Sequence, residues 1–267
     1  MREKTIVEKT KTLLTKDILV RDLKRLGVRE GITMIVHSSL SSLGWVCGGA
    51  VTVIQALMET VTEEGTIVMP TQTTYNSEPS YWQNPPVPED WWEPIREHMP
   101  AYDPYVSPTR GMGVTVETFR SFPGVIRSAH PSYSFAAWGK YKEKIIFGHS
   151  IDYGFGEESP LARIYDVDGY VLLLGVDYDS NTSMHLAESR SSKVKTFMQG
   201  ASMIENGNRV WKEFIDIETD ADRFLEIGKA FEKNHHVKIG TIGNAISRLM
   251  GQRELVDFTK AWFEGEG

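Results

Sequence analysis

Residues 175–188 bring together one imidazole and three carboxylates: His185 with Asp177, Asp179 and Glu188. If the stretch beyond Asn181 is helical, His185 and Glu188 stand at i and i+3 and share a face. A carboxylate beside an imidazole orients the ring and supports its basicity, which is what a general base working near neutral pH requires. The competing reading is a surface helix with an incidental histidine. Chemistry is favoured by position, because ligands of open α/β sheets bind beyond the carboxyl ends of the strands and this segment follows the most apolar strand-like run of the chain. All four side chains are metal-ligand types. Their spacing matches neither a His-Glu-x-x-His helix nor paired Cys-x-x-Cys, so no metal site is assigned.

A second candidate is the small-residue loop 37–49, which follows a strand and opens a helix. Backbone N–H groups and a helix N-terminus at such a place can hold an anion. No Gly-Lys-Ser/Thr follows and G-x-G-x-x-G is absent, so nucleotide hydrolysis and nicotinamide chemistry lose support. Taken alone, the loop is equally an ordinary βα turn. Arg110, among flexible turn residues, could meet a phosphate or simply face solvent. Cys47 reads as a small packed residue rather than a nucleophile. His130 and His149 lie in polar turns where either could serve a site, and His235-His236 reads as a solvated helix end.

These segments need a frame. Ile18, Leu19, Leu23 and Leu26 share a helical face, with Asp17 as cap and Gly27 as stop. Residues 33–37 and 66–70 are short apolar runs that suit buried strands, with a helical pattern over 50–62 between them. Strand, loop, helix, strand in that order is a βαβ unit and implies a parallel sheet. Further helices are expected over 114–122 and 160–166, strands over 133–138 and 170–175, and a helix capped by Asn181 that carries His185. Residues 194–204 and 208–217 flank Asn206-Gly207 and read as a hairpin. Helices over 220–233, 240–250 and 254–263 complete the chain. The fold class is therefore α/β, one sheet with helices on both faces, with 1–267 as a single domain.

Residues 71–108 differ in character. They hold most of the prolines, Trp82, Trp91 and Trp92, and a series of acids from Glu78 to Asp103. A long connection without periodic pattern is uncommon and usually functional, so this insertion is expected to act as a lid. The whole chain has 29 basic and 36 acidic side chains, a formal net charge of −7. That balance argues against a general nucleic-acid binder and fits the handling of cationic ligands. With Cys47 as the one cysteine, an internal disulfide is excluded. No apolar run reaches the roughly 18 residues of a membrane span or has the form of a signal peptide, and a soluble cytoplasmic protein is expected.

Together these segments resemble the aminoglycoside 3-N-acetyltransferase family. The resemblance is carried by Val36-His-Ser-Ser-Leu-Ser-Ser-Leu-Gly44 with Gly48-Gly49, and by Gly65-Thr-Ile-Val-Met-Pro-Thr71. It continues through Thr109-Arg-Gly-Met-Gly113, Arg127-Ser-Ala-His-Pro-Ser132 with Phe135-Ala-Ala-Trp-Gly139, and Ser159-Pro-Leu. Its last motifs are Leu174-Gly-Val-Asp and Asn181-Thr-Ser-Met-His-Leu-Ala-Glu188, and the resemblance as a whole covers roughly residues 15–265.

The resemblance implies an acetyltransferase fold of its own kind, moving the acetyl group of acetyl-CoA to the 3-amino group of a 2-deoxystreptamine aminoglycoside, an antibiotic-resistance activity. It implies that Ser38, Ser39, Leu40, Ser41, Ser42 and Leu43, with His37, Gly44 and Thr71, line the pantetheine and pyrophosphate. Ser107, Thr109 and Arg110 would complete the CoA groove. His185 would take a proton from the substrate ammonium, and the amine would attack the thioester directly, with no acyl-enzyme on Cys47. Backbone donors near the loop would stabilise the oxyanion. Glu188, Asp177 and Asp179 would attract the cationic sugar or orient His185, with Trp82 and the acidic lid on the acceptor side. Three other readings stay open: a same-fold transferase for another small amine, a metal-dependent hydrolase, and a non-catalytic CoA- or sugar-binding protein. A homodimer through the hairpin or the terminal helices is a further expectation.

Overall fold

The structure is a computed structural model that describes residues 3–265. In chain order the elements begin α1 (Glu3–Lys9), α2 (Lys16–Leu26), β1 (Thr33–Ser38), α3 (Leu40–Leu43), α4 (Gly49–Val61), β2 (Thr66–Pro70), α5 (Trp92–His98) and α6 (Gly113–Phe119). Next come β3 (Ile126–Arg127), β4 (Phe135–Gly139), α7 (Lys142–Ile146), α8 (Pro160–Asp166), β5 (Tyr170–Leu174) and α9 (Met184–Arg190). The last are β6 (Thr196–Glu205), β7 (Asn208–Ile217), α10 (Phe224–Asn234), β8 (Lys238–Ile242), β9 (Ala245–Gly251) and α11 (Gln252–Glu264).

Seven strands form one sheet in the order β3-β4-β2-β1-β5-β9-β8, and β6 and β7 form a separate hairpin. The parallel sheet expected from the βαβ unit is confined to β2, β1 and β5. Antiparallel pairs extend it on both sides. Register places Val68, Ile35 and Val171 in one row. That row faces a core built with α7, α8, α9, α10 and α11, through residues such as Ile146, Leu161, Leu186, Phe224 and Leu255. Met34, Val36, Ile67, Met69, Leu172 and Leu174 point the other way, onto Leu19 and Leu23 of α2, Ile54 and Leu57 of α4, and Phe119 of α6. Because strand side chains alternate between faces, strands covered by helices on both sides need apolar residues at every position. That is why the middles of β1, β2 and β5 read as apolar runs, at 34–36, 67–69 and 171–174. Among the described residues no helix is long and apolar enough to cross a membrane.

Several local expectations need correction. Thr15, not Asp17, is the N-cap of α2, and Asp17 lies in its first turn; Gly27 closes the helix at φ 108° with its N–H on the Leu23 and Lys24 carbonyls. The helix expected over 240–250 is the hairpin β8–β9, turning at Gly243-Asn244. Its burial alternates, with Ala245, Ser247 and Leu249 inside and Ile246 outside, the period of a strand rather than a helix. The N-cap of α9 is Ser183; Asn181 lies two residues earlier and accepts the Ser183 N–H through Oδ1 at 3.2 Å.

Segment 71–108 is not structureless. It holds α5 and two 3₁₀ turns, and it is sewn to the hairpin. The Asn76 side-chain amide donates to the Ser202 carbonyl and accepts the Ser202 N–H, both at 2.8 Å. The Tyr102 N–H reaches the same carbonyl at 2.9 Å. These bonds satisfy backbone groups that a two-stranded ribbon otherwise leaves open.

Candidate active site

The three parallel strands end at one place. Pro70 closes β2, His37 and Ser38 close β1, and Val176 follows β5, and all of them line a cleft of about 820 Å³. The chain leaves β1 toward β2 on one side and comes to β5 on the other, so the cleft sits at the switch point of the sheet. One wall is the loop after β1, with Ser39, Leu40, Ser41, Gly44, Gly48 and Gly49 at the N-terminus of α4. Facing it are Gly111 to Val116, at the start of α6. Asp179, Asn181, Thr182 and His185 form the floor toward α9, and Glu3 and Ile6 of α1 with Trp45 close one end.

His185 is built into this floor by three contacts. Its ring stacks on Phe155, centroids 4.8 Å apart and 15° between planes, and packs obliquely on Phe224 at 4.9 Å. Nδ1 lies 2.5 Å from Glu188 Oε2. Glu188 is only 7% exposed, and its Oε1 accepts the Asp220 N–H at 2.7 Å. With both oxygens engaged, the carboxylate fixes Nδ1 as the protonated nitrogen and leaves the Nε2 lone pair for whatever enters the cleft. The buried Asp216 is a second carboxylate within electrostatic reach of His185; burial pushes it up to about 6 against the pull of the Ile217 N–H. Asp216 belongs to no motif of the sequence. Its signal is an acid among the apolar residues at the end of β7.

Burial, reinforced by the like charge of His185, pushes His37 down to about 3, so its imidazole is neutral at physiological pH. His37 Nε2, Ser38 Oγ, Thr115 Oγ1 and Asn181 Nδ2 are all buried without a hydrogen-bond partner in the protein, and all belong to cleft-lining residues. Buried polar groups are almost always paired, and an unmade bond costs about 1–3 kcal/mol. Four such atoms around one cleft mark a surface that a polar ligand completes.

The other residues singled out from the sequence are placed as follows. Leu43 is core, and Ser42 turns back to Ser39 Oγ at 2.8 Å. Thr71 is buried behind the cleft, bonded to Ser134 and Arg127. Ser107 accepts the Asp103 N–H on its hydroxyl and an Arg127 N–H on its carbonyl. Thr109 donates twice to Glu117, locking the loop onto α6. Arg110 is exposed, next to the cleft-lining Gly111, with its N–H on the Gln72 carbonyl. Asp177 caps the following turn through the Tyr178 N–H and lies 3.8 Å from Arg248. Trp82 donates to Ser77 Oγ within segment 71–108, of which only Gln72 reaches the cleft. His130 is buried and His149 half-buried rather than in open turns: the first accepts the Ser132 and Tyr133 N–H groups, and the second lies 2.8 Å from the Gly154 carbonyl. His235 stacks on Phe231, and Cys47 is exposed. Among the described residues, no group of three or more His, Cys, Asp or Glu side chains converges as a metal site.

A family model for aminoglycoside 3-N-acetyltransferases matches residues 35–264, and the chain belongs to that family. It is 54% identical over 261 residues to the SPbeta prophage-derived aminoglycoside N(3')-acetyltransferase-like protein YokD of Bacillus subtilis (strain 168), covering 97% of this chain and 96% of YokD. The crystal structure of YokD matches with a TM-score of 0.96 over 97% of each chain. AAC-IIIb in a binary complex with CoASH is 30% identical, with a TM-score of 0.86 over 95% of this chain and 97% of AAC-IIIb. AAC-VIa bound to sisomicin is 30% identical, with a TM-score of 0.85 over 95% of this chain and 98% of AAC-VIa. The mixed seven-stranded sheet with its appended hairpin is the fold these proteins share.

Proposed function

We propose that this chain transfers the acetyl group of acetyl-CoA to an amine, in the first instance the 3-amino group of a 2-deoxystreptamine aminoglycoside, by direct attack with His185 as general base. The observation that carries this reading is the His185–Glu188 pair, with Nδ1 held by a buried carboxylate and Nε2 left to the cleft. Acetyl-CoA supplies an activated thioester and a leaving thiolate. The residues present fit it: a long cleft, glycines and hydroxyls along one wall, and unpaired buried donors and acceptors. Gly48 and Gly49, at the N-terminus of a thirteen-residue helix, suit the pyrophosphate. AAC-IIIb with CoASH and AAC-VIa with sisomicin lend the donor and the acceptor class by similarity.

His185 holds the acceptor nitrogen deprotonated as it adds to the thioester carbon, and Glu188 stabilises the imidazolium that results. Cys47 has no part in the step. One observation favours a second acceptor reading, another small amine. The cleft wall carries only two acids among the described residues, Asp179 and Glu3, and Glu3 is already engaged by the Trp45 indole N–H at 3.1 Å.

A thiol-release assay with acetyl-CoA against a panel of aminoglycosides and simple polyamines tests the reading. Release is expected with at least one amine, and His185→Ala should lower kcat by roughly 10²–10⁴-fold. Near-normal turnover in a folded His185→Ala protein overturns the base assignment, and release with polyamines alone selects the second acceptor.

A further inference from the structure

Two of the unpaired atoms belong to residues that line the cleft together with His185. His37 is 5% exposed and Asn181 1% exposed. Asn181 is fixed from one side, since its Oδ1 accepts the Ser183 N–H at 3.2 Å. That bond decides which end of the amide is free: Nδ2, a donor, is left with no acceptor in the protein. His37 shares the β1 face of Ile35, which looks toward the α9 side of the sheet, and its Nε2 is likewise unpaired. The remaining orphans, Ser38 Oγ and Thr115 Oγ1, stand elsewhere. Ser38 follows the Val36 face, and Thr115 lies on α6, beside the opposite core.

The neutrality of His37 matters to what it can do. A neutral imidazole donates a hydrogen bond without the cost of a buried cation, and preorganised neutral donors of this kind polarise a carbonyl effectively in a dry site. An amide held rigidly by its own carbonyl costs no reorganisation when charge develops opposite it. Direct attack needs such donors, because it builds a full negative charge on the thioester oxygen close to His185.

We infer that the Asn181 side-chain amide and the His37 imidazole donate to the thioester carbonyl oxygen and form the oxyanion hole of the transfer, in place of backbone donors from the loop after β1. The inference rests on the proposed acetyl transfer. The acceptor nitrogen bonds to the acyl carbon while the carbonyl π pair moves onto oxygen between these two donors, and His185 Nε2 takes a proton from that nitrogen. The carbonyl then reforms, the C–S bond breaks with its pair on sulfur, and the proton held by His185 passes to the thiolate. The products are the N-acetyl amine and CoA thiol.

The test separates these donors from the transfer itself. The carbonyl stretch of [1-13C]acetyl-CoA is followed by isotope-edited infrared spectroscopy on the intact protein without any amine. It is expected to fall below its solution frequency in wild type and to move back in Asn181→Ala and in His37→Ala. Calorimetry with CoA, which lacks the carbonyl, reports separately what each variant loses in cofactor binding, and kcat at saturating acetyl-CoA is expected to fall roughly 10²–10³-fold. Asn181→Asp keeps the acceptor for Ser183 N–H but removes the donor, so it controls for loss of structure and should behave like Asn181→Ala. His37→Gln, which restores a donor, should recover part of the shift and of kcat. A carbonyl frequency unshifted in wild type, or unchanged by the variants, overturns the inference even if transfer is fast. A shifted carbonyl with no transfer to any amine leaves the donors standing and overturns the proposed function. Failure of wild type to bind acetyl-CoA overturns both.

Discussion

Glu188→Gln is the sharpest probe of the site, because the structure leaves glutamine no good way to lie. Both carboxylate oxygens accept from donors: Oε2 from His185 Nδ1 at 2.5 Å and Oε1 from the Asp220 N–H at 2.7 Å. Glutamine keeps one acceptor and turns an NH₂ group toward the other partner. If the NH₂ faces Asp220, two donors oppose each other, and the imidazolium loses its charged partner. A charge-assisted bond is worth about 1.5–3 kcal/mol, which converts to roughly 10- to 100-fold in rate. If the NH₂ faces His185, the ring must take the opposite tautomer. Nε2 then carries the hydrogen and cannot accept one, and a mis-set tautomer in a comparable triad costs about 10⁴-fold. The kcat for thiol release is therefore expected to fall between those limits. KM for acetyl-CoA should hold, because Glu188 does not line the cleft. The assay is steady-state thiol release with acetyl-CoA and the best amine of the panel, beside a thermal melt. A folded Glu188→Gln protein with kcat within about threefold of wild type, under 1 kcal/mol of barrier, would refute the reasoning.

Two further outcomes concern stability. His37 and His149 are pushed down by burial to about 3 and about 4. Their contribution is complete above their unfolded value near 6.5 and is lost as pH falls below it, because the unfolded chain binds the protons first; at pH 5 the loss is about 2 kcal/mol for each. Asp216, raised to about 6, works in the opposite sense and returns about 1 kcal/mol over the same range. Urea midpoints should drop between pH 7 and pH 5, and a flat profile would show that these histidines are not buried as described. Gly228 in α10 lies flat on Tyr178, and a Cβ there would come within 2.0 Å of the ring. Gly228→Ala should therefore destabilise by about 1–3 kcal/mol in urea unfolding, and an unchanged midpoint would place α10 farther from the loop after β5.

What the sequence by itself determined about this protein is everything that rests on near neighbours. β1, β2 and β5 announce themselves by the apolar runs at 34–36, 67–69 and 171–174, because the middle of a strand covered on both faces favours apolar side chains, and polar ones such as Thr33, Thr66 and His37 stand toward the ends. The β6–β7 turn follows from Asn206-Gly207, both at positive φ. The His185–Glu188 pair is visible because one helical turn brings i and i+3 together. The same locality explains the miss over 240–250, where apolar residues can be fitted to either period until the sheet edge beside β5 selects the strand.

The tertiary structure alone decided the rest. It engages the second oxygen of Glu188 by the backbone of Asp220, and it clamps the His185 ring between Phe155 and Phe224. It ties segment 71–108 to the hairpin through Asn76 and Ser202, so that most of the segment expected to cover the site lies away from the cleft. It leaves His37 neutral and Asn181 unpaired in a shared cleft. Each of these depends on desolvation or on partners distant in the chain. Neither is encoded in spacing, because burial belongs to a position in the packed core and not to a residue and its neighbours.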